Sequence, residues 1–112
     1  MLLIDSRAPD RYSGAVEPLD KVAGHIPNAI NMFWMENYEE DGTIKPEKAL
    51  SERWNQLPND KDWIVYCGSG VTACANILSM YIAGFETMKL YPGSWSDWCS
   101  YPLDSTWAAL KE

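Results

Sequence analysis

A cysteine at the start of a glycine-containing loop is the feature of this sequence that most suggests chemistry. The stretch CGSGVT, residues 67–72, follows a short apolar run and precedes a helix-like pattern. A residue at the carboxyl end of a parallel strand, just before a helix, lies where open α/β sheets bind ligands. Gly68 and Gly70 allow a tight turn whose successive N–H groups can point to one centre, and such a centre suits an anion. These groups and the helix dipole would lower the pKa of the Cys67 thiol. We therefore predict that Cys67 is a nucleophile.

The alternative role for a free cysteine is that of a small hydrophobic residue in the core. We interpret Cys74 and Cys99 in this way. The three cysteines form no CxxC pair, and with a single histidine they support neither a disulfide framework nor a zinc site, so no metal and no cofactor are predicted. His25 lies in a turn motif and is expected to bond locally to backbone. A Cys-dependent phosphatase would need an arginine six positions after the nucleophile, where this chain has Ala73.

The elements that must position Cys67 alternate between short apolar runs and helix-like segments, which is typical of an α/β domain with a mainly parallel sheet. Strands are predicted at 2–5, 29–33, 63–66 and 88–91, and short helical segments at 9–13, after Pro46 and in PGSWSDW. The segment 36–45 is predicted to be a loop, and its acidic part, 36–41, is predicted to be solvated. The clearest helix follows the Cys67 loop and is ended by Gly84. Its predicted apolar face comprises Cys74, Ile77, Leu78, Tyr81, Ile82 and Phe85.

Length and charge limit the function classes. The 112 residues, 46% of them hydrophobic, suit one globular domain, 1–112. The net charge of −7 disfavours nucleic acid and anionic membrane surfaces as partners, so an anionic substrate would need a local arginine or helix N-terminus. Unpaired cysteines and a start without the basic flank of a signal peptide favour a cytoplasmic location.

Four motifs occur in the order and spacing of the rhodanese-like sulfurtransferases, which the chain resembles over nearly its whole length. They are LIDSRAPDRYSG (3–14), AGHIPNAIN (23–31), YCGSGVTA (66–73) and LYPGSWSDW (90–98). The loop form CGSGVT is similar to that of the 3-mercaptopyruvate sulfurtransferases, usually tandem enzymes with the active cysteine in the second domain. The resemblance implies a rhodanese-like parallel sheet flanked by helices that lacks the family's first strand and helix. It leaves room for a preceding rhodanese-like domain as a partner.

The resemblance also implies roles for individual residues. Cys67 would take a sulfane sulfur from a small-molecule donor, 3-mercaptopyruvate or thiosulfate, as a persulfide, and pass it to cyanide or a thiol. Arg11 would bind the donor's carboxylate or sulfonate, and Asp5 would help to orient Arg11. The remaining implied substrate-binding residues form the loop: Gly68, Ser69, Gly70, Val71 and Thr72.

Leu19 departs from the family pattern, because it stands in EPL where the mercaptopyruvate enzymes usually have EPR. This loss of a second substrate arginine favours the alternative of a non-catalytic persulfide carrier or regulatory module. The apparent lack of the first strand predicts, in turn, that the strand 88–91 lies at an exposed edge of the sheet.

Overall fold

A computed structural model describes residues 2–17, 22–58, 62–68 and 71–100. Its elements are, in chain order, β1 (Leu2–Asp5), α1 (Pro9–Ser13), β2 (Ile30–Asn31), a 3₁₀ helix (Trp34–Asn37), α2 (Glu47–Trp54), β3 (Trp63–Tyr66), α3 (Ala73–Ile82), β4 (Met88–Leu90) and α4 (Ser94–Trp98). The predicted alternation of strands and helices is confirmed. The second strand is shorter than predicted, and the 3₁₀ helix takes the first two residues of the segment predicted to be a loop.

The strands form one parallel sheet in the order β2-β1-β3-β4. In the register, Leu3 lies beside Ile64, which in turn lies beside Lys89. Among the described residues β4 pairs only with β3, so the prediction that this strand lies at a sheet edge is confirmed. Because all the strands run the same way, their carboxyl ends meet at one edge, where the loops that follow β1 and β3 are neighbours.

Both faces of the sheet are covered, because alternate strand residues point to opposite sides. On one face β1 and β3 contribute to a core cluster with α2 and α3, formed by Ile4, Trp54, Trp63, Val65, Cys67, Ala73 and Met80. On the other face a smaller cluster comprises Ile26, Ala29, Tyr66 and Trp95. Trp95 is fully buried in it, so α4 is anchored beneath the carboxyl edge of the sheet.

The buried face of α3 agrees only in part with the one that its apolar spacing predicts, since Ile77 and Phe85 pack against the core cluster but other members of the predicted face do not. Ala73, Asn76, Ser79 and Met80 are buried. By contrast, Leu78 is 51% exposed and Tyr81 67% exposed, and Cys74 is also exposed. The interpretation of Cys74 as a core residue is therefore wrong, and Cys99 is only partly buried.

Hydrogen bonds to other elements explain why α3 buries polar side chains. The amide of Asn76 donates to Ser6 Oγ at 2.7 Å and to the carbonyl of Met32 at 2.8 Å. Ser79 Oγ accepts from the indole nitrogen of Trp54 at 2.7 Å. A buried polar group that finds such partners avoids the cost of desolvation. Asn76 thereby attaches α3 to the carboxyl ends of β1 and β2.

No helix within the described ranges is long and apolar enough to cross a membrane.

Candidate active site

Cys67 directly follows β3, at the carboxyl edge of the sheet. Its N–H donates to Ser94 Oγ at 3.0 Å, and its carbonyl accepts from the N–H of Trp95 at 2.9 Å. The carbonyl of Gly68 accepts from the N–H of Ser96, also at 2.9 Å. The first residues of α4 therefore hold the start of the cysteine loop from below, with its carbonyls turned away from the thiol side of the turn.

Ser94 was not singled out by its sequence, although it is the third residue of the PGSWSDW motif. Its φ of 55° places it in the left-handed region, which is strained for a residue with a side chain. In this conformation its hydroxyl donates to the carbonyl of Tyr91 at 2.8 Å while accepting from Cys67. The strained serine thus connects the end of β4 to the nucleophile candidate.

The thiol of Cys67 is buried, since the residue is only 1% exposed and belongs to the apolar cluster on the α3 side of the sheet. Burial of this kind would also be found for a cysteine that acts merely as a core residue. The environment of the loop and of Arg11 therefore has to distinguish the two roles.

The loop is described in part, because Ser69 and Gly70 lie outside the described residues, as does Leu19. The N–H groups of Gly68, Val71 and Thr72 donate to no acceptor within the described ranges. Helix α3 begins immediately afterwards, with the N–H groups of Cys74 and Ala75 bonded to the carbonyls of Val71 and Thr72. Undonated N–H groups before a helix are what an anion-binding turn requires. Their convergence on the sulfur stays a prediction.

Arg11 reaches this loop from α1. A Cβ atom built on Gly68 would lie 3.1 Å from Nη2 and 3.4 Å from Nη1 of Arg11, so the guanidinium packs against the residue that follows the cysteine. Its Nη2 also contacts Glu17 Oε2 at 3.2 Å, whereas its buried Nε has no partner among the described residues. The structure brings together Arg11 and the Cys67 loop, as the resemblance implied.

Asp5 does not orient Arg11 directly, which corrects the sequence-based expectation. Its carboxylate binds Arg7, whose Nη2 lies 2.7 Å and whose Nε lies 3.1 Å from the two oxygens. Arg7 contacts Glu17 at 3.5 Å, and only through this carboxylate does the chain of charges continue to Arg11. Arg7 lies two residues from Asp5, and the turn after β1 brings their side chains together, so the Asp5 carboxylate is occupied by Arg7 and not by Arg11.

Burial alone would lower the pKa of Arg7, but its hydrogen bond to Asp5 and the charge of that carboxylate raise the pKa above its ordinary value. The Arg7 guanidinium also lies 4.9 Å from the centre of the Trp95 ring. Arg7 is therefore a permanent buried cation that joins β1 to α4. Neither Arg7 nor Glu17 was predicted to belong to the site. Both stand inside motifs that the sequence analysis used, Arg7 in LIDSRAPDRYSG and Glu17 in EPL.

Tyr66, the last residue of β3, adds a neutral polar group beside these charges. Burial, and then the charge of Asp5, raise the pKa of Tyr66 far above its ordinary value. Its hydroxyl accepts from the N–H of Ile26 at 3.1 Å. The phenol stays protonated and ties the AGHIP segment to the sheet.

His25 and the possible metal ligands are the remaining candidates from the sequence. His25 Nδ1 lies 2.8 Å from the carbonyl of Tyr12, and the two rings stack at 4.0 Å. The predicted bond to backbone is therefore present, but its partner lies 13 residues away in α1 and is not local. In the part of the chain that the structure describes, no group of three or more His, Cys, Asp or Glu residues could hold a metal ion. Within the described residues, the site comprises the Cys67 thiol, the loop N–H groups without an acceptor there, and the Arg11 guanidinium against Gly68, with Arg7, Asp5 and Glu17 beside it.

Comparisons with known proteins agree with this geometry. The profile of the rhodanese-like domain matches residues 1–101. The chain is 43% identical over 105 residues to a probable 3-mercaptopyruvate sulfurtransferase of Pseudomonas aeruginosa, covering 91% of this chain and 37% of that protein. It is 36% identical to the thiosulfate sulfurtransferase of Bos taurus, covering 96% of this chain and 38% of that one. The chain thus spans little more than a third of the length of these curated relatives.

Among solved structures, the fold is similar to that of the 3-mercaptopyruvate sulfurtransferase from Leishmania major. The TM-score is 0.73 at 30% identity, over 88% of this chain and 29% of that one. The Tum1 protein from Saccharomyces cerevisiae superposes with a TM-score of 0.83 at 24% identity, over 95% of this chain and 38% of that one, which supports the fold alone.

Proposed function

Because the chain belongs to the rhodanese-like domain family, we propose that it is a sulfurtransferase domain in which Cys67 carries the transferred sulfur. The observation that supports this most is the guanidinium of Arg11 packed against Gly68, directly after the cysteine. A core cysteine has no need of a neighbouring cation, whereas an anionic sulfur donor does. The names of the relatives, both mercaptopyruvate and thiosulfate sulfurtransferases, support the same class of reaction.

The first half-reaction is attack of the Cys67 thiolate on the donor sulfur. With thiosulfate, the Sγ–S bond forms, the S–S bond breaks, and sulfite leaves with the electron pair. With 3-mercaptopyruvate, the C–S bond breaks and its electron pair goes to carbon as the enolate of pyruvate, which then takes a proton. Either route leaves a persulfide at Cys67.

The second half-reaction returns the thiolate. Cyanide attacks the outer sulfur of the persulfide and leaves with it as thiocyanate. The S–S bond breaks, and its electron pair stays on Cys67 Sγ, which becomes the thiolate again. A thiol acceptor takes the sulfur in the same way. In both halves negative charge lies next to the loop, where the N–H groups of Gly68 to Thr72 and the start of α3 stabilise it.

Arg11 carries the recognition of the donor. Its guanidinium can grip a carboxylate or sulfonate with two N–H groups, as a lysine cannot. Leu19 stands where a second arginine would be, so recognition by one charge-assisted contact, worth about 1.5–3 kcal/mol, is lost. We expect a modest preference for 3-mercaptopyruvate, because the loop lacks basic residues for a dianion. Leu19→Arg should raise kcat/KM for mercaptopyruvate.

The decisive experiment compares cysteine variants in a cyanide-dependent assay with both donors. Cys67→Ser should abolish thiocyanate formation, and mass spectrometry should find the added sulfur on the Cys67 peptide of the wild type. Cys74→Ala and Cys99→Ala are matched controls that should keep activity. Equal loss at Cys74 would contradict the assignment.

The burial of Cys67 favours a second candidate, a persulfide carrier that does not turn over small donors. Such a module would accept sulfur from a partner protein and would give no thiocyanate with either free donor. The same assay distinguishes the two, since a sulfurtransferase would form thiocyanate over many turnovers from a free donor, whereas a carrier would form none.

A further inference from the structure

Glu17 lies between the two arginines of the candidate site and is nearly buried. Its side chain is 5% exposed, with Oε1 3.5 Å from Arg7 and Oε2 3.2 Å from Arg11. Arg7 is already neutralised by Asp5 at 2.7 Å and also donates to the carbonyl of Gly24. Of these two arginines, Arg11 is therefore the one whose charge Glu17 offsets more.

The four side chains sum to zero charge, because Asp5 and Glu17 offset Arg7 and Arg11. They share one buried array, in which side-chain exposure is 1% or less for Asp5 and Arg7. In such surroundings charges are screened less than at the surface, so an ion bound beside Arg11 also experiences the repulsion of Glu17. The cation offered to a donor is thus much weaker than a lone arginine.

We propose that Glu17 sets the charge of the donor that this site accepts, by holding Arg11 beside Gly68 while neutralising it. The inference rests on the proposed function, since it concerns the same donor site. The repulsion energy between Glu17 and a dianion such as thiosulfate is about twice that between Glu17 and a monoanion such as 3-mercaptopyruvate. Glu17 is a specificity-determining residue that discriminates against doubly charged donors.

The test is Glu17→Gln, which keeps the size of the side chain and a carbonyl oxygen able to accept from Arg11. Removing one nearby unit charge should lower KM by about tenfold for a monoanion. It should lower KM by about a hundredfold for a dianion, because Coulomb energy is proportional to the charge of the ligand. The ratio of kcat/KM for thiosulfate to that for mercaptopyruvate should therefore rise by about tenfold, with kcat little changed. Glu52→Gln, an exposed carboxylate on α2, makes the same change in net charge and should leave the ratio unaltered.

A binding measurement separates this inference from the proposed reaction. Sulfate and pyruvate serve as unreactive dianion and monoanion, titrated against the wild type and Glu17→Gln by NMR chemical shifts. Tighter sulfate binding relative to pyruvate in the variant supports the role of Glu17 even when the wild type transfers no sulfur to cyanide, a result that would refute only the proposed turnover.

An unchanged sulfate-to-pyruvate ratio overturns the inference, as does an equal loss of kcat/KM for both donors, since Glu17 would then only hold Arg11 in place. If Glu17→Gln unfolds, Glu17→Asp provides the second variant. It keeps the charge but withdraws it from Arg11, so the same ratios should move in the same direction by a smaller factor, and an unmoved ratio would again refute the role.

Discussion

Gly68→Ala is the substitution that most directly tests whether Arg11 serves the cysteine loop. The new methyl group would lie 3.1 Å from Nη2, 3.4 Å from Nη1 and 3.7 Å from Cζ of Arg11. These contacts are tight, and the guanidinium is the end of a flexible side chain, so it must move by a few tenths of an ångström. Gly68 is not among the residues with positive φ, and alanine can therefore adopt the same backbone.

The expected effect is a loss of donor recognition with little loss of stability. An Arg11 that no longer reaches the donor loses one charge-assisted hydrogen bond, about 1.5–3 kcal/mol, and kcat/KM would fall by about 10- to 150-fold. A partial shift places the expected loss near the lower value, about tenfold. Glycine-to-alanine replacement at a compatible backbone adds about 0.4–1 kcal/mol of stability, which offsets the displaced arginine.

Donor kinetics and urea unfolding should be measured together, with Gly84→Ala as the matched control. Gly84 ends α3 with φ of 96° and has open space around it, so alanine there is strained without touching any neighbour. It should cost about 1–2 kcal/mol of unfolding free energy and leave donor KM unchanged. The reasoning about Arg11 would be refuted by a stable Gly68→Ala protein whose KM for both donors equals that of the wild type.

Three further predictions concern the scaffold. The pKa of Tyr66 is raised in the folded state, so the folded protein keeps a proton that the unfolded chain releases above pH about 10, and the free energy of unfolding should fall as pH rises past that value. Tyr66→Phe should make the urea midpoint fall less steeply at alkaline pH. Equal declines in the wild type and the variant would contradict this. Ser79→Ala should cost about 1–3 kcal/mol in urea unfolding because it leaves the Trp54 indole N–H buried and unpaired, whereas a cost below that of Ser51→Ala, whose bond is long at 3.5 Å, would show that the contact is unimportant. The edge strand β4 should promote self-association in sedimentation experiments at rising concentration, and a strictly monomeric protein of high stability would count against an open edge.

Local pattern was sufficient to predict the strands and the place of Cys67. Apolar runs bounded by turns specify where a strand begins and ends, and the residue after β3 necessarily reaches the carboxyl edge of a parallel sheet. The edge position of β4 was expected from the resembling family, whose opening strand normally covers that side of the sheet. That His25 bonds to backbone was also expected, but its partner, the carbonyl of Tyr12, lies 13 residues away, and a local turn pattern does not predict that partner.

Tertiary structure alone decided that polar side chains join Ile77 on the buried side of α3. Hydrophobic spacing selected the side with Leu78 and Tyr81, yet both are exposed. The buried side carries Asn76 and Ser79, whose partners come from the residue after β1, from the residue after β2 and from α2. The spacing of apolar residues within one helix gives no information about hydrogen-bond partners on other elements. Those partners offset the desolvation cost that would otherwise keep polar side chains out of the core.

The same limit applies to the charges of the site. The motifs that the sequence shares with the rhodanese-like family implied that Arg11 would lie near the cysteine loop. Which carboxylate binds which guanidinium depended on the path of the chain after β1, which closes Asp5 onto Arg7 and leaves Glu17 for Arg11. Charge pairing varies with distance and burial, and both are properties of the folded chain that residue types and spacing do not contain.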